Sequence, residues 1–195
     1  MRRGFFNNDI LNLMDIFSHG LWAAAGAKGL NKAQDKRRVN IWVATLWGMF
    51  PDLFAFSIPF MFIVGSVIFG SAHFSDFGAH PMVAEPPGGG AFLVAHLAHA
   101  LYNVSHSLVV FSVVFFGVWA YFKQARLELL GWFLHIIMDI PTHTYAFFPT
   151  PVFWPLFDWR FNGFSWANPR FLILNYSVLL IVYAVLWRKQ RLLRT

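Results

Sequence analysis

Cysteine is absent from the chain, which excludes disulfides, thiolate zinc sites and cysteine nucleophiles and leaves the redox compartment unmarked. Charge is scarce as well. Asp, Glu, Lys and Arg together make up 12% of the 195 residues, about half the share usual in a soluble globular protein. No internal repeat and no low-complexity tract is visible. No cleavable signal peptide is expected either: Arg2 and Arg3 resemble a charged leader, but Asp9, Asp15 and His19 interrupt the apolar stretch that follows. What is abundant is apolar surface: 57% hydrophobic residues, with 24 Phe and 9 Trp. One water-soluble core cannot hold that much, so a disordered chain, a soluble enzyme domain and a nucleic-acid module are excluded together. The net charge of +6 would otherwise suggest a polyanion partner. Here the basic residues sit in short clusters beside apolar runs, as they do in the cytoplasmic loops of membrane proteins.

Five apolar segments follow one another, over about 10–27, 39–70, 91–122, 127–148 and 171–187. Each approaches or exceeds the ~20 helical residues that cross a bilayer, and only helices pair every backbone group within lipid in a chain of this pattern. The expected fold is therefore all-α, a polytopic transmembrane helix bundle forming a single domain. If the fifth segment ends in the cytoplasm, only Arg2, Arg3, Arg160 and Arg170 of the 15 Lys and Arg lie outside. A re-entrant first segment with a cytoplasmic N-terminus is the alternative. The second and third segments have 32 residues each, ~48 Å if helical. Their excess predicts a paired hairpin projecting on the non-cytoplasmic side. The joining loop, 71–90, has no Lys or Arg and ends in a flexible Glu85-Pro86-Pro87-Gly88-Gly89-Gly90 connector. The stretch 149–169, with Trp154, Trp159 and Trp166, reads as an interfacial loop.

Ionisable groups inside membrane helices are costly and usually mark function. Asp15, His19, Asp52, His106, His135 and Asp139 all fall in apolar surroundings, with Ser105, Ser107, Thr142 and His143 beside them. Asp15 and His19 are i,i+4 and share one helix face, as do His135 and Asp139. Asp52 follows Pro51 inside an apolar run, and His96, His99, Asn103 and His106 form a stripe along the third segment. At 1.5 Å per residue the acids and imidazoles of four segments fall at a similar depth. Imidazole and carboxylate are the ligands that zinc and similar divalent metals take when thiolate is missing. Each residue alone also has a structural explanation. A lone histidine can be a helix–helix hydrogen-bond partner, a His–Asp pair can satisfy itself, and Pro51-Asp52 or Thr142-His143 can mark helix ends. All of them together fit that explanation poorly, because buried carboxylates need compensation.

Phe17-Ser18-His19-Gly20, Phe50-Pro51-Asp52, Ser105-His106-Ser107 and Gly131-Trp132-Phe133-Leu134-His135-Ile136-Ile137-Met138-Asp139-Ile140-Pro141-Thr142 stand in an order that resembles the YdjM-like family. Its members are bacterial inner-membrane proteins regarded as metal-dependent hydrolases. The later Pro151-Val152-Phe153-Trp154-Pro155 is similar too. The likeness spans about 15–160 and is tight only at the motifs. It implies a divalent metal, zinc above others, held by His19, Asp52, His106, His135 and Asp139. It also implies hydrolysis of a membrane lipid or other membrane-associated phosphoester. Two departures stand out. Pro51-Asp52-Leu53-Phe54 lacks the family's second acid, and Leu101-Tyr102 replaces a His-Arg pair.

The favoured expectation is a membrane metallohydrolase in which Asp52 or Asp139 serves as general base. Asp15, Ser107 and Thr142 would orient the ligands, and Arg160 and Arg170 would attract an anionic headgroup or simply anchor the loop at the interface. A small transporter or proton-coupled channel using the same residues and a haem protein with histidine axial ligands are the competing expectations. No nucleic-acid partner is expected.

Overall fold

A computed structural model describes residues 8–33, 38–70 and 89–192. Among the described residues the chain is all-helical, with six α-helices: α1 (Asn8–Ala33), α2 (Ile41–Ile68), α3 (Gly89–Ser105), α4 (Leu108–Phe122), α5 (Leu130–Thr142) and α6 (Pro169–Leu192). A single 3-10 turn, Leu127–Leu129, leads into α5. Helix α2 is central, packed on α1, α3 and α5, while α1 also touches α5 and α6.

The centre is narrow because its residues are small. Ala23, Ala24 and Ala27 of α1, Ala44 of α2 and Gly131 of α5 are buried at the shared seam. A Cβ on Gly48 would lie 2.5 Å from Ala23 Cβ, and one on Gly131 would lie 2.3 Å from the carbonyl oxygen of Ala44. Such close backbone approach is how helices associate where lipid removes the hydrophobic incentive. The outside is the reverse. Trp42, Met61, Phe69, Val113, Ile173 and Leu180 are exposed, Leu180 to 73%. Faces of α2, α4 and α6 thus present large apolar side chains outward, the signature of a surface that meets lipid rather than water.

Two helices, Ile41–Ile68 and Pro169–Arg188, are long and apolar enough to cross a membrane, and a bent pair, Val94–Ser105 with Leu108–Phe122, makes a third if it forms one span. Among the described residues the expected count of five is not confirmed, and two segments depart from expectation in an informative way. The run 91–122 is not one long helix; it breaks at His106-Ser107, where the axis turns by 56°. The cause is local. Ser107 adopts extended backbone and its hydroxyl accepts from Val109 N (3.1 Å) and Val110 N (3.3 Å), capping a new helix. The run 127–148 forms a helix only from Leu130 to Thr142, ~20 Å long. Beyond Pro141 the chain turns, and the carbonyls of Pro141, Thr142 and His143 accept from Phe164 N, Trp166 N and Gly163 N. Gly163 is required there, since a Cβ would stand 2.1 Å from the carbonyl oxygen of Pro141. The tip of the expected hairpin (71–88) and Arg2 and Arg3 lie outside the described residues.

The loop 143–168 is partly interior. Phe148, Thr150, Pro151, Val152 and Trp166 are buried, whereas Leu156, Phe157, Trp159 and Phe161 are exposed. Its anchoring contacts include Val152 O, which accepts from Leu108 N (3.0 Å). On the opposite flank α6 is tied to α1 by Trp22 Nε1 to Asn175 Oδ1 (2.8 Å), Asn175 Nδ2 to Ser18 Oγ (2.7 Å) and Tyr183 Oη to Leu21 O (2.9 Å).

Candidate metal centre

Four elements deliver side chains to one point. His19 comes from α1, Asp52 from α2, His106 from the break between α3 and α4, and His135 and Asp139 from one face of α5. All five are buried; Asp139 and His106 have no exposure at all. Asp52, His106, His135 and Asp139 form a group able to hold a metal ion, each offering one ligand atom with all four atoms within 4.8 Å of one another.

The hydrogen bonds around the two central imidazoles assign their tautomers. A carbonyl can only accept, so the 2.7 Å contact of His135 Nδ1 with Gly48 O places the proton on Nδ1. His106 Nδ1 likewise faces Tyr102 O (3.2 Å) and Ser105 Oγ (2.9 Å), while Ser105 donates its own proton to Pro51 O (3.2 Å). In the neutral rings both Nε2 atoms are then acceptors, and they face each other at 3.1 Å. Asp139 Oδ2 lies 3.2 Å from each, and Asp52 Oδ1 lies 3.5 Å from His106 Nε2 and 3.7 Å from His135 Nε2. Neither oxygen of Asp139 meets a donor other than a histidine ring nitrogen.

Four acceptors turned toward one another are repulsive unless something positive lies among them. One proton satisfies one edge of this arrangement at a time. A divalent cation satisfies them together and balances two carboxylate charges. The spacing agrees: tetrahedral bonds of the usual zinc length place ligand atoms about 3.3 Å apart, and the five separations above run from 3.1 to 3.7 Å. The residues present therefore fit a divalent metal.

His19 stands beside this group and bridges the carboxylates from behind, Nε2 3.1 Å from Asp139 Oδ1 and Nδ1 3.5 Å from Asp52 Oδ2. Its ring lies against that of His135, centroids 3.9 Å apart. His143, one turn after Asp139, reaches Asp139 Oδ1 at 3.7 Å.

The local sequence explains why these helices can meet. Pro51 removes a backbone donor from the middle of α2, and two carbonyls of that stretch accept side-chain donors, Gly48 O from His135 and Pro51 O from Ser105. The carbonyl of Ser105, at the end of α3, accepts from Trp132 Nε1 (2.6 Å). Trp132 also stacks on Trp47, centroids 5.9 Å apart.

Other residues singled out by sequence lie elsewhere. The Ser107 hydroxyl caps α4 and donates to Trp154 O, so its neighbour Ser105 is the serine that touches His106. The Thr142 hydroxyl donates to Met138 O (2.8 Å), back along its own helix. The side chain of Asp15 lies outside the described residues. Arg160 pairs with Asp158 (2.8 Å) and donates to Pro149 O (3.3 Å), and Arg170 is exposed in the first turn of α6. Of the histidine stripe only His106 joins the cluster; His96 and His99 are exposed, with His99 stacked on Phe148. Sequence reasoning passed over Tyr102 and Ser105 as ligand supports. Tyr102, four residues before His106, shares its helix face, and that spacing was the available signal. Gly48 acts through its backbone and carries no such signal.

No family model, no curated protein and no solved structure matches this chain.

Proposed function

We propose that the chain is a membrane-embedded, metal-dependent hydrolase acting on a phosphoester or ester of a lipid or another membrane-associated molecule. The observation that carries this reading is the closed set of acceptors, His106 Nε2, His135 Nε2, Asp52 Oδ1 and Asp139 Oδ2, buried among helices with apolar outer faces. These four residues would hold the metal, with His19 as a further ligand or as the bridge that fixes both carboxylates. Zinc suits the imidazole-and-carboxylate set. A divalent cation held there supplies Lewis-acid polarisation of a phosphoryl or acyl oxygen and acidifies water.

The two carboxylates divide the remaining work by access. Asp139 is fully enclosed by imidazoles and serves as a ligand, whereas the Asp52 side chain keeps 11% exposure. Asp52 is therefore the carboxylate placed to take a proton from a water arriving from outside the cluster and to return it to the leaving group. Arg160 and Arg170 supply positive charge for an anionic headgroup. The resemblance to the YdjM-like family is in keeping with this assignment and with a bacterial inner-membrane location, and the excess of Lys and Arg on the other side favours a site toward the non-cytoplasmic face.

A second reading has one observation in its favour. A membrane helix broken at its ligand residue, as at His106-Ser107, is how many transporters build ion sites, and flux in proteoliposomes without hydrolysis would favour it. Haem fits less well. His106 and His135 Nε2 lie 3.1 Å apart with two carboxylates in the same space, which leaves no slot for a macrocycle.

Elemental analysis of the detergent-purified chain tests the proposal. Wild type retains about one divalent metal per chain, His135→Ala retains none, and Asp52→Asn holds metal more weakly and hydrolyses neither phosphodiester nor ester probes. Equal metal in wild type and His135→Ala, with both folded, would overturn it.

A further inference from the structure

One end of the bundle has no part in the metal centre, and side-chain contacts draw its helix ends together. The Asn31 side chain grips the backbone of Val39, Nδ2 donating to its carbonyl (2.8 Å) and Oδ1 accepting from its N–H (2.6 Å). Asn40 N donates to Glu128 Oε1 (3.1 Å), and Lys32 Nζ donates to Leu186 O (2.9 Å). The ends of α1 and α6, the start of α2 and the turn between α4 and α5 therefore share one face.

That face is basic. Lys28, Lys32, Arg38, Lys123, Arg126 and Arg188 lie on it, and among the described residues Glu128 is its one carboxylate, already engaged by Asn40 N. Among the described residues the ion pairs lie at the metal centre and at Arg160–Asp158, so none of these cations is neutralised by an acid. Two of them are held in place. Lys28 and Lys32 stand one turn apart on α1 and both reach α6, Lys28 Nζ over the Tyr183 ring at 4.7 Å and Lys32 on Leu186 O. The Lys32 ammonium keeps two further N–H donors. The Asn31–Val39 clasp puts Arg38, one residue before Val39, beside the last turn of α1, and Arg188 follows Leu186 by two residues. Both arginines are exposed.

Aromatic side chains ring the same face. Trp42 in the first turn of α2 and Tyr121 at the end of α4 are each 81% exposed, and Trp187, beside Arg188, is 55% exposed. They continue the apolar outer faces of α2, α4 and α6, so the cations stand where acyl chains give way to headgroups. A soluble polyanion has no apolar part to meet that border, whereas an anionic lipid has both. Basic groups between helix ends at this level match its phosphate.

We propose that this face binds anionic phospholipid, with the headgroup phosphate held between Lys28 and Lys32 of α1, Arg38 and Arg188. Lys32 stands thirteen residues beyond His19, ~20 Å along α1. The lipid site is thus separate from the metal centre and does not rest on the metal-dependent reading.

The test uses the full chain in dodecyl maltoside with an equimolar mixture of dioleoyl phosphatidylglycerol and dioleoyl phosphatidylcholine. Retained lipid is counted by native mass spectrometry, and the thermal midpoint is read with each lipid alone. Wild type retains the anionic lipid about tenfold over the zwitterionic one and is stabilised by it. The double variant Arg38→Gln, Arg188→Gln removes no side-chain hydrogen bond among the described residues, and its preference falls about tenfold. Arg38→Lys with Arg188→Lys keeps the charge and the preference. Lys32→Gln alone, which retains a donor for Leu186 O, gives a second reading with a loss of about fivefold. Equal retention of the two lipids by wild type overturns the proposal, as does a wild-type preference in both Gln variants. Sodium polyphosphate that stabilises wild type as well as phosphatidylglycerol does overturns it too, since the face would then serve a soluble polyanion. Bound metal does not enter these measurements, so the outcome stands apart from that of the metal-dependent reading.

Discussion

The seam of α1, α2 and α5 and the outer faces of α4 and α6 obey opposite rules. The seam is built of Gly48, Gly131, Ala23 and Ala44, with backbones so close that a single added methyl would collide, and it encloses imidazoles and carboxylates. The outer faces carry Val113, Ile173 and Leu180, large and uncovered. A soluble protein sorts its residues the other way. Here the solvent is apolar, so cohesion comes from close contact of small residues and from polar groups satisfied inside. The buried imidazoles and carboxylates gather where the outer lipid is least able to reach.

That contrast can be broken at its strongest point. Gly131→Val should be the most damaging single change, because its Cβ would meet Ala44 O at 2.3 Å and Gly48 N at 3.0 Å. A loss of about 3 kcal/mol is expected, read as a drop in thermal midpoint in detergent and accompanied by loss of bound metal, since His135 sits one turn further along the same helix. A midpoint equal to that of wild type would show that the seam is looser than described.

Ser105→Ala should act on the centre without disturbing the seam. It removes the oxygen beside His106 Nδ1 and the bond to Pro51 O. Metal affinity should fall about tenfold in a chelator competition, with the fold retained. Affinity unchanged from wild type would mean that Tyr102 O alone orients the ring. The outer face should give the smallest response. Leu180→Ala, on the exposed side of α6, is expected to shift stability by no more than ~0.5 kcal/mol and to leave metal content untouched. A larger loss would mean that another surface covers this face.

Much of the centre was legible in the sequence because its residues contradict their surroundings. His135 and Asp139 stand one helical turn apart in an otherwise apolar stretch, and Asp52 follows a proline in another; both patterns are visible without coordinates. The all-helical class followed from composition in the same way. What escaped had no contradiction to announce it. The Tyr102 carbonyl looks ordinary until its contact with His106 Nδ1 is seen. Ser107 looked like a support for a ligand, yet its extended backbone turns the hydroxyl toward Val109 N and Val110 N and breaks the third segment in two. The helical extent of the fourth segment was hidden in the same way. Hydropathy registers an apolar run but not the proline and the capping strands of loop that end α5 at Thr142, short of a full crossing.

The carbonyl of Gly48 accepts from His135 at the very residue whose missing side chain admits α1. Under the metal-dependent reading proposed above, assembly and ion capture would therefore be coupled through one position. A chain whose helices have not docked would offer only the His135–Asp139 pair, and the full set of ligands would come together only once the bundle has closed.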